Sequence, residues 1–132
     1  SLTPQLAEFV EAVCAEAKVG AADTMQVNLA IEEAVVNVIN YAYPVGMRGD
    51  VTIEAASNDV RLKFTIIDSG KPFDPTVHAA VDTKLSAKDR RIGGLGIHIV
   101  RQMMDSMNYE RVGKLNVLTL RKKINNKNTN NQ

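Results

Sequence analysis

The chain has 132 residues, a formal net charge of +1 and a single cysteine. One domain with room for a core fits that length, and a second of ordinary size does not. The basic residues are scattered apart from short runs such as Arg90-Arg91 and Arg121-Lys122-Lys123, so no electrostatic footprint marks direct nucleic-acid binding. No apolar run approaches the ~20 residues of a membrane span, no signal peptide opens the chain, and Cys14 cannot pair internally; the expected compartment is the cytoplasm.

Thr3 before Pro4 is a good helix start, and Leu6, Phe9, Val10, Val13 and Ala17 then recur at helical spacing. Cys14, set among these apolar residues, reads as a small buried group. Gly20 is expected to break this helix and Asp23 or Thr24 to cap a second one, whose stripe of Val27, Ile31, Ala34, Val35 and Val38 runs to about Tyr41. Pro44 and Gly46 end it. Val51–Ser57 and Val60–Asp68 read as strands joined at Asn58-Asp59, with Val60, Leu62, Phe64 and Ile66 on one side. From Ser69 to Ile92 periodicity is lost, as in a lid or mobile connection. Ile97, Val100, Met103, Met104 and Met107 mark a further helix, followed by strands near Tyr109–Val112 and Leu115–Lys122 turning at Gly113-Lys114. The tail from Asn125 to Gln132 is too polar to bury anything and is expected to be disordered, leaving residues 1–124 as the domain. This order predicts an α+β fold, a two-layer sandwich with helices on one face of a mixed, mostly antiparallel sheet.

Three segments carry chemistry. Glu33 and Asn37 stand four residues apart in an apolar helical run, one turn above each other. A carboxylate there suits a general base for an attacking hydroxyl, and a neutral amide oxygen suits a magnesium ion already bound by phosphates. The same residues also suit a solvated helix face. Glu32, about a hundred degrees round the helix, reads as plain surface, whereas Asn40 and Tyr41 lie near enough to line a pocket. Asp68 ends an alternating strand, and Gly70 lets the backbone approach something flat. The exocyclic amine of adenine is a suitable donor to that carboxylate, although Asp-x-Gly is equally an ordinary strand-to-turn sequence. Gly93-Gly94-Leu95-Gly96 directly precedes a helix, so its amides form either a phosphate seat or a hinge with a helix cap. Neither Walker nor Rossmann spacing is present. His78 and His98 lack partners at metal-ligand spacing, so no zinc site is indicated.

Together and in this order the segments resemble the GHKL ATPase superfamily with its Bergerat ATP-binding fold, and within it the bacterial anti-sigma-factor serine kinases. The run from Leu29 to Tyr43 looks like the family's asparagine box, Asp68-Ser-Gly70-Lys-Pro72-Phe73-Asp74-Pro75 like its first glycine box, and Arg90-Arg-Ile-Gly93-Gly94-Leu95-Gly96-Ile97 like its second. The resemblance covers roughly residues 3 to 124 and implies ATP and Mg2+ as ligands. It makes Glu33 the general base, Asn37 the magnesium ligand, Asp68 the acceptor for the adenine amine, and Gly93, Gly94 and Gly96 the triphosphate loop. Arg90 looks like the arginine that touches the terminal phosphate.

Three departures stand out. The family usually begins with a strand, for which Ser1 to Pro4 leaves almost no room, as expected of a trimmed chain or of a domain cut from a longer protein such as a regulatory phosphatase. Asn116 stands in the closing strand where many relatives carry a threonine near the adenine. The phospho-acceptor histidine helix of sensor kinases is absent, and glutamate occupies position 33 where those enzymes usually have histidine. The function implied is an ATP-dependent protein serine/threonine kinase that holds a sigma factor inactive and phosphorylates an anti-sigma-factor antagonist, with a homodimer suggested by the same analogy. The alternative is a nucleotide-gated protein-binding module with little phosphotransfer.

Overall fold

The computed structural model describes residues 4–43, 49–78 and 95–124. Helix α1 (Pro4–Glu16) starts with proline at its first turn, as expected, and buries Val10 and Cys14. Phe9 does not join them; it lies on the exposed side. The helix stops before the expected Gly20. Lys18 takes a left-handed conformation with φ 63°. Around it the Val19 amide donates to Cys14 O at 2.9 Å and the Lys18 amide to Ala15 O at 3.0 Å. These are the two bonds of a Schellman stop, here built on a lysine instead of a glycine.

Helix α2 (Ala21–Ala42) begins directly after Gly20, without a side-chain cap. The expected caps therefore lie inside it: Asp23 sits in the first turn, where a carboxylate favours the positive helix end. The Thr24 hydroxyl turns back to Val19 O at 3.5 Å. Val27, Ala30, Ile31, Ala34, Val35, Val38 and Ala42 form one buried stripe at helical spacing.

Strands β1 (Val51–Ser57), β2 (Arg61–Asp68), β3 (Ser106–Val112) and β4 (Leu115–Lys123) follow. They form a sheet in the order β1-β2-β4-β3. All its described pairings are antiparallel. The first hairpin is longer than Asn58-Asp59 suggests: Ser57 pairs with Leu62. Asn58 Oδ1 accepts from the amides of Val60 and Arg61, both at 2.9 Å. Val60 thus belongs to the turn and is 60% exposed, although its alternation with Leu62 placed it in the strand. The second hairpin turns at Gly113, φ 58°, where the left-handed region favours glycine. Strand β3 starts at Ser106, earlier than expected, and takes in Met107, which the helical spacing had assigned to the preceding helix.

The period of two decides what the sheet buries. Leu62, Phe64 and Ile66 of β2 and Leu118 and Leu120 of β4 face the α2 stripe, joined by Val100 of helix α4 (Leu95–Met103) and by Met104 just after it. Burying side chains of this size stabilises the fold by roughly 1.5–3 kcal/mol each. Helices therefore layer on one sheet face, and the α+β sandwich expectation holds. The expected loss of periodicity after Ser69 is interrupted by a one-turn helix α3 (Pro75–His78), entered through Asp74, whose Oδ1 accepts from the Thr76 amide at 2.9 Å. The remaining part of that connection, residues 79–94, and the polar tail lie outside the described residues.

Candidate functional site

Period-two geometry also carries polar residues onto the core face. Asp68 follows Leu62, Phe64 and Ile66 at the end of β2, and Asn116 precedes Leu118 and Leu120 at the start of β4. The two are partners in the sheet register. Each is only 3% exposed, so both side chains must find partners inside. Asn116 Nδ2 donates to Asp68 Oδ1 and to Lys71 O, both at 2.8 Å. Asn116 Oδ1 accepts from the Phe73 amide at 3.3 Å, from Arg111 Nη1 at 3.1 Å and from the Tyr109 hydroxyl. Asp68 Oδ1 also accepts from the Gly70 amide at 2.8 Å. Its second oxygen, Oδ2, has no donor among the described residues.

Gly70 is needed for a close approach, but to protein. A Cβ there would lie 2.2 Å from Ala42 O. The neighbouring Lys71 amide donates to that same carbonyl at 2.8 Å. This bond docks the turn after β2 onto the end of α2. Tyr41, on the last turn of α2, stacks on Phe73 with ring centroids 5.2 Å apart and planes 17° apart. Tyr43 adds a second tie, its hydroxyl donating to Asp50 O at 2.7 Å and accepting from the Ser69 amide at 3.1 Å.

One to two turns back along α2 stand Glu33 and Asn37. Asn37 is 3% exposed, not a solvated surface residue, and Glu33 is half-buried. Asn37 Nδ2 donates to Glu33 O at 3.0 Å, which leaves Oδ1 as the amide atom without a partner among the described residues. The first turn of α4 comes directly against this pair. A Cβ on Gly96 would lie 2.7 Å from Glu33 Oε1 and 2.9 Å from Asn37 Nδ2. Only glycine therefore brings the start of α4 so close to a carboxylate and an amide at once. A magnesium ion would find one neutral oxygen in Asn37, which suits an ion that takes most of its ligands from phosphate and water. No group of three or more His, Cys, Asp or Glu side chains able to hold a metal occurs among the described residues.

The structure thus brings Glu33, Asn37 and Gly96 together, and joins Asp68 and Gly70 through a buried network to β3 and β4. Ile97 is fully buried, and Asn40 is exposed without a partner among the described residues. Glu32 is half-buried, not plain surface. Arg90, Gly93 and Gly94 lie outside the described residues, as does the Leu95 side chain. Sequence reasoning missed Tyr109 and Arg111, and quoted Phe73 and Tyr43 within the family-like runs without giving either a role. Arg111 was within reach of it: once Gly113-Lys114 is the turn, the register sets Arg111 opposite Asn116. Cys14 is fully buried, and that burial pushes its thiol pKa up, which suits a packing role.

Residues 1–122 match the family model described as the histidine kinase-like ATPase domain. The chain belongs to that family. It is 27% identical over 92 residues to the serine/threonine-protein kinase BtrW of Bordetella bronchiseptica, covering 70% of this chain and 65% of that protein. It is 29% identical over 83 residues to the serine-protein kinase RsbW of Listeria monocytogenes, covering 60% of this chain and 53% of the relative. RsbW of Halalkalibacterium halodurans is 26% identical over 89 residues, 64% of this chain and 54% of its own length. The chain spans about half to two thirds of the length of these curated relatives. No helix among the described residues is long and apolar enough to cross a membrane.

Proposed function

We propose that this domain binds ATP with magnesium and transfers the terminal phosphoryl group to a serine or threonine hydroxyl of a protein that antagonises an anti-sigma factor. In this reading the domain itself holds a sigma factor inactive until its antagonist intervenes. The observation that carries the reading is the approach of Gly96 to Glu33 and Asn37. A helix start offers N–H groups to phosphate, and it lies here against the two side chains that transfer chemistry needs.

Glu33 is the base that orients the attacking hydroxyl and takes its proton. Its half-buried position one turn from Asn37, with Oε1 against the start of α4, supports that role. Asn37 turns its amide nitrogen to Glu33 O, and Oδ1 is the atom that would hold the cation. Magnesium held there would supply charge neutralisation for the phosphates. Asp68 accepts the adenine amine at Oδ2, the oxygen left open by the internal network. By the family resemblance, Gly93 and Gly94 extend the phosphate seat and Arg90 reaches the terminal phosphate. Since little covalent chemistry falls to the protein, positioning and charge neutralisation account for most of the acceleration. The serine-kinase names of the relatives support the reaction class.

Glu33→Ala tests the assignment. Labelled ATP and a candidate antagonist protein should give no phosphoprotein with the variant, while its ATP affinity stays within about threefold of wild type, since the base acts only on the hydroxyl. Undiminished transfer would remove Glu33 from the mechanism. Association that depends on ATP but never yields phosphoprotein, even with wild type, would favour the nucleotide-gated binding module.

A further inference from the structure

We infer that Asn116 is a specificity-determining positioning residue, which holds Asp68 so that the site takes a purine bearing its exocyclic amine at C6. The inference rests on the ATP reading above and extends it from the carboxylate to the residues that aim it. An asparagine amide can face either way, and the two orientations have opposite consequences for Asp68. With the nitrogen toward Asp68 the carboxylate gains a donor; with the oxygen toward it, two acceptors would confront each other inside the protein.

The surroundings admit only the first orientation. On one side stand three donors, the Phe73 amide, Arg111 Nη1 and the Tyr109 hydroxyl, all directed at Asn116 Oδ1. On the other stand two acceptors, Asp68 Oδ1 and Lys71 O, each 2.8 Å from Nδ2. Arg111 is itself fixed, since its Nη1 also donates to Gly70 O at 2.8 Å and its Nε to Gly113 O at 3.3 Å. The hairpin β3–β4 and the segment after β2 together set the amide, and the amide sets the carboxylate.

The consequence for ligand choice follows from counting partners on Asp68. Oδ1 is occupied by Asn116 Nδ2 and the Gly70 amide. A further buried partner must come to Oδ2, and it must donate, because a carboxylate only accepts; the Asn116 amide, by donating to Oδ1, fixes where Oδ2 is presented. Adenine presents an amine at the position where guanine and hypoxanthine present a carbonyl. A purine with hydrogen there offers neither donor nor acceptor, and leaves Oδ2 buried and unpaired.

Binding of MgATP, MgGTP, MgITP and the magnesium complex of purine riboside triphosphate to wild type, Asn116→Ala and the double variant Tyr109→Phe/Arg111→Leu separates the possibilities. Wild type should favour ATP over purine riboside triphosphate by roughly tenfold or more, the weight of a hydrogen bond to a carboxylate. Asn116→Ala should weaken ATP while leaving purine riboside triphosphate within about twofold, so the ratio collapses toward one. The double variant, which leaves the Asn116 amide held only by the Phe73 amide, Asp68 and Lys71 O, should narrow the ratio less than Asn116→Ala does, and a ratio unchanged from wild type would count against the inference if Asn116→Ala does not fold. A purely structural role would weaken all nucleotides in parallel with the ratio intact, and that result overturns the inference. Wild type that binds no nucleotide at all would instead overturn the ATP reading beneath it.

Discussion

Gly70 and Gly96 are both closely approached, but by atoms of different freedom. Against Gly70 stands a backbone carbonyl, Ala42 O, in a segment already tied down by the Lys71 amide. Against Gly96 stand the ends of two side chains, Glu33 Oε1 and Asn37 Nδ2. A methyl group therefore costs different things at the two positions. Gly70→Ala should destabilise the fold by about 3 kcal/mol, the upper part of the usual range for overpacking, because backbone must shift. Gly96→Ala should cost no more than about 1 kcal/mol, since side chains can rotate away. The rotation displaces the proposed base and the amide proposed to hold magnesium, so transfer should fall at least tenfold while the protein stays folded. Urea unfolding midpoints alongside turnover measure both halves. A stable Gly70→Ala, or a Gly96→Ala that unfolds before it loses activity, would contradict the packing described.

At the scale of elements, the stop of α1 offers a direct check on local energetics. Lys18 sits at the left-handed position of a Schellman motif, where L-residues other than glycine and asparagine are strained. Lys18→Gly should stabilise the protein by about 0.5–1 kcal/mol, raising the unfolding midpoint; a loss of stability would mean that the lysine stem contributes more than its backbone strain. This helix end also shows where sequence reading falls short. Helix and strand existence was legible because Val27 to Val38 and Leu62 to Ile66 repeat at 3.6 and 2.0 residues. Boundaries were not, since a lysine can be forced into a conformation that glycine adopts freely, and Gly20 drew attention two residues too late. Val60 failed for a similar reason: its alternation with Leu62 is real, yet Asn58 Oδ1 captures the amides of Val60 and Arg61 and keeps the turn open. Glu33, Asn37 and Asp68 were legible because polar groups in apolar runs need a reason to be there. Tyr109 and Arg111 carry no such mark, and only the β3–β4 register shows what they hold.

At the scale of the whole molecule, the parts of the site come from opposite ends of the chain and meet through the core. The sheet supplies Asp68 and Asn116 at one end of its buried face, while α2 supplies Glu33 and Asn37 and also the apolar stripe that covers that same face. Helix α4 and the residue after it close the arrangement, with Gly96 against α2 and Val100 and Met104 in the core. The proposed ligand contacts and the core contacts therefore share elements, so a nucleotide that bridges the sheet end, α2 and the start of α4 should stabilise the fold as a unit. Binding to the folded state alone adds about 2.7 kcal/mol when ligand is present at a hundred times its dissociation constant. For a domain of this size that corresponds to a rise in Tm of roughly 10 °C. Thermal unfolding during a titration of ATP, with and without magnesium and beside Asp68→Ala, tests the nucleotide site most directly. The account predicts a rise that grows with ATP, is larger with magnesium and is lost in Asp68→Ala; an unchanged Tm at millimolar MgATP would contradict it.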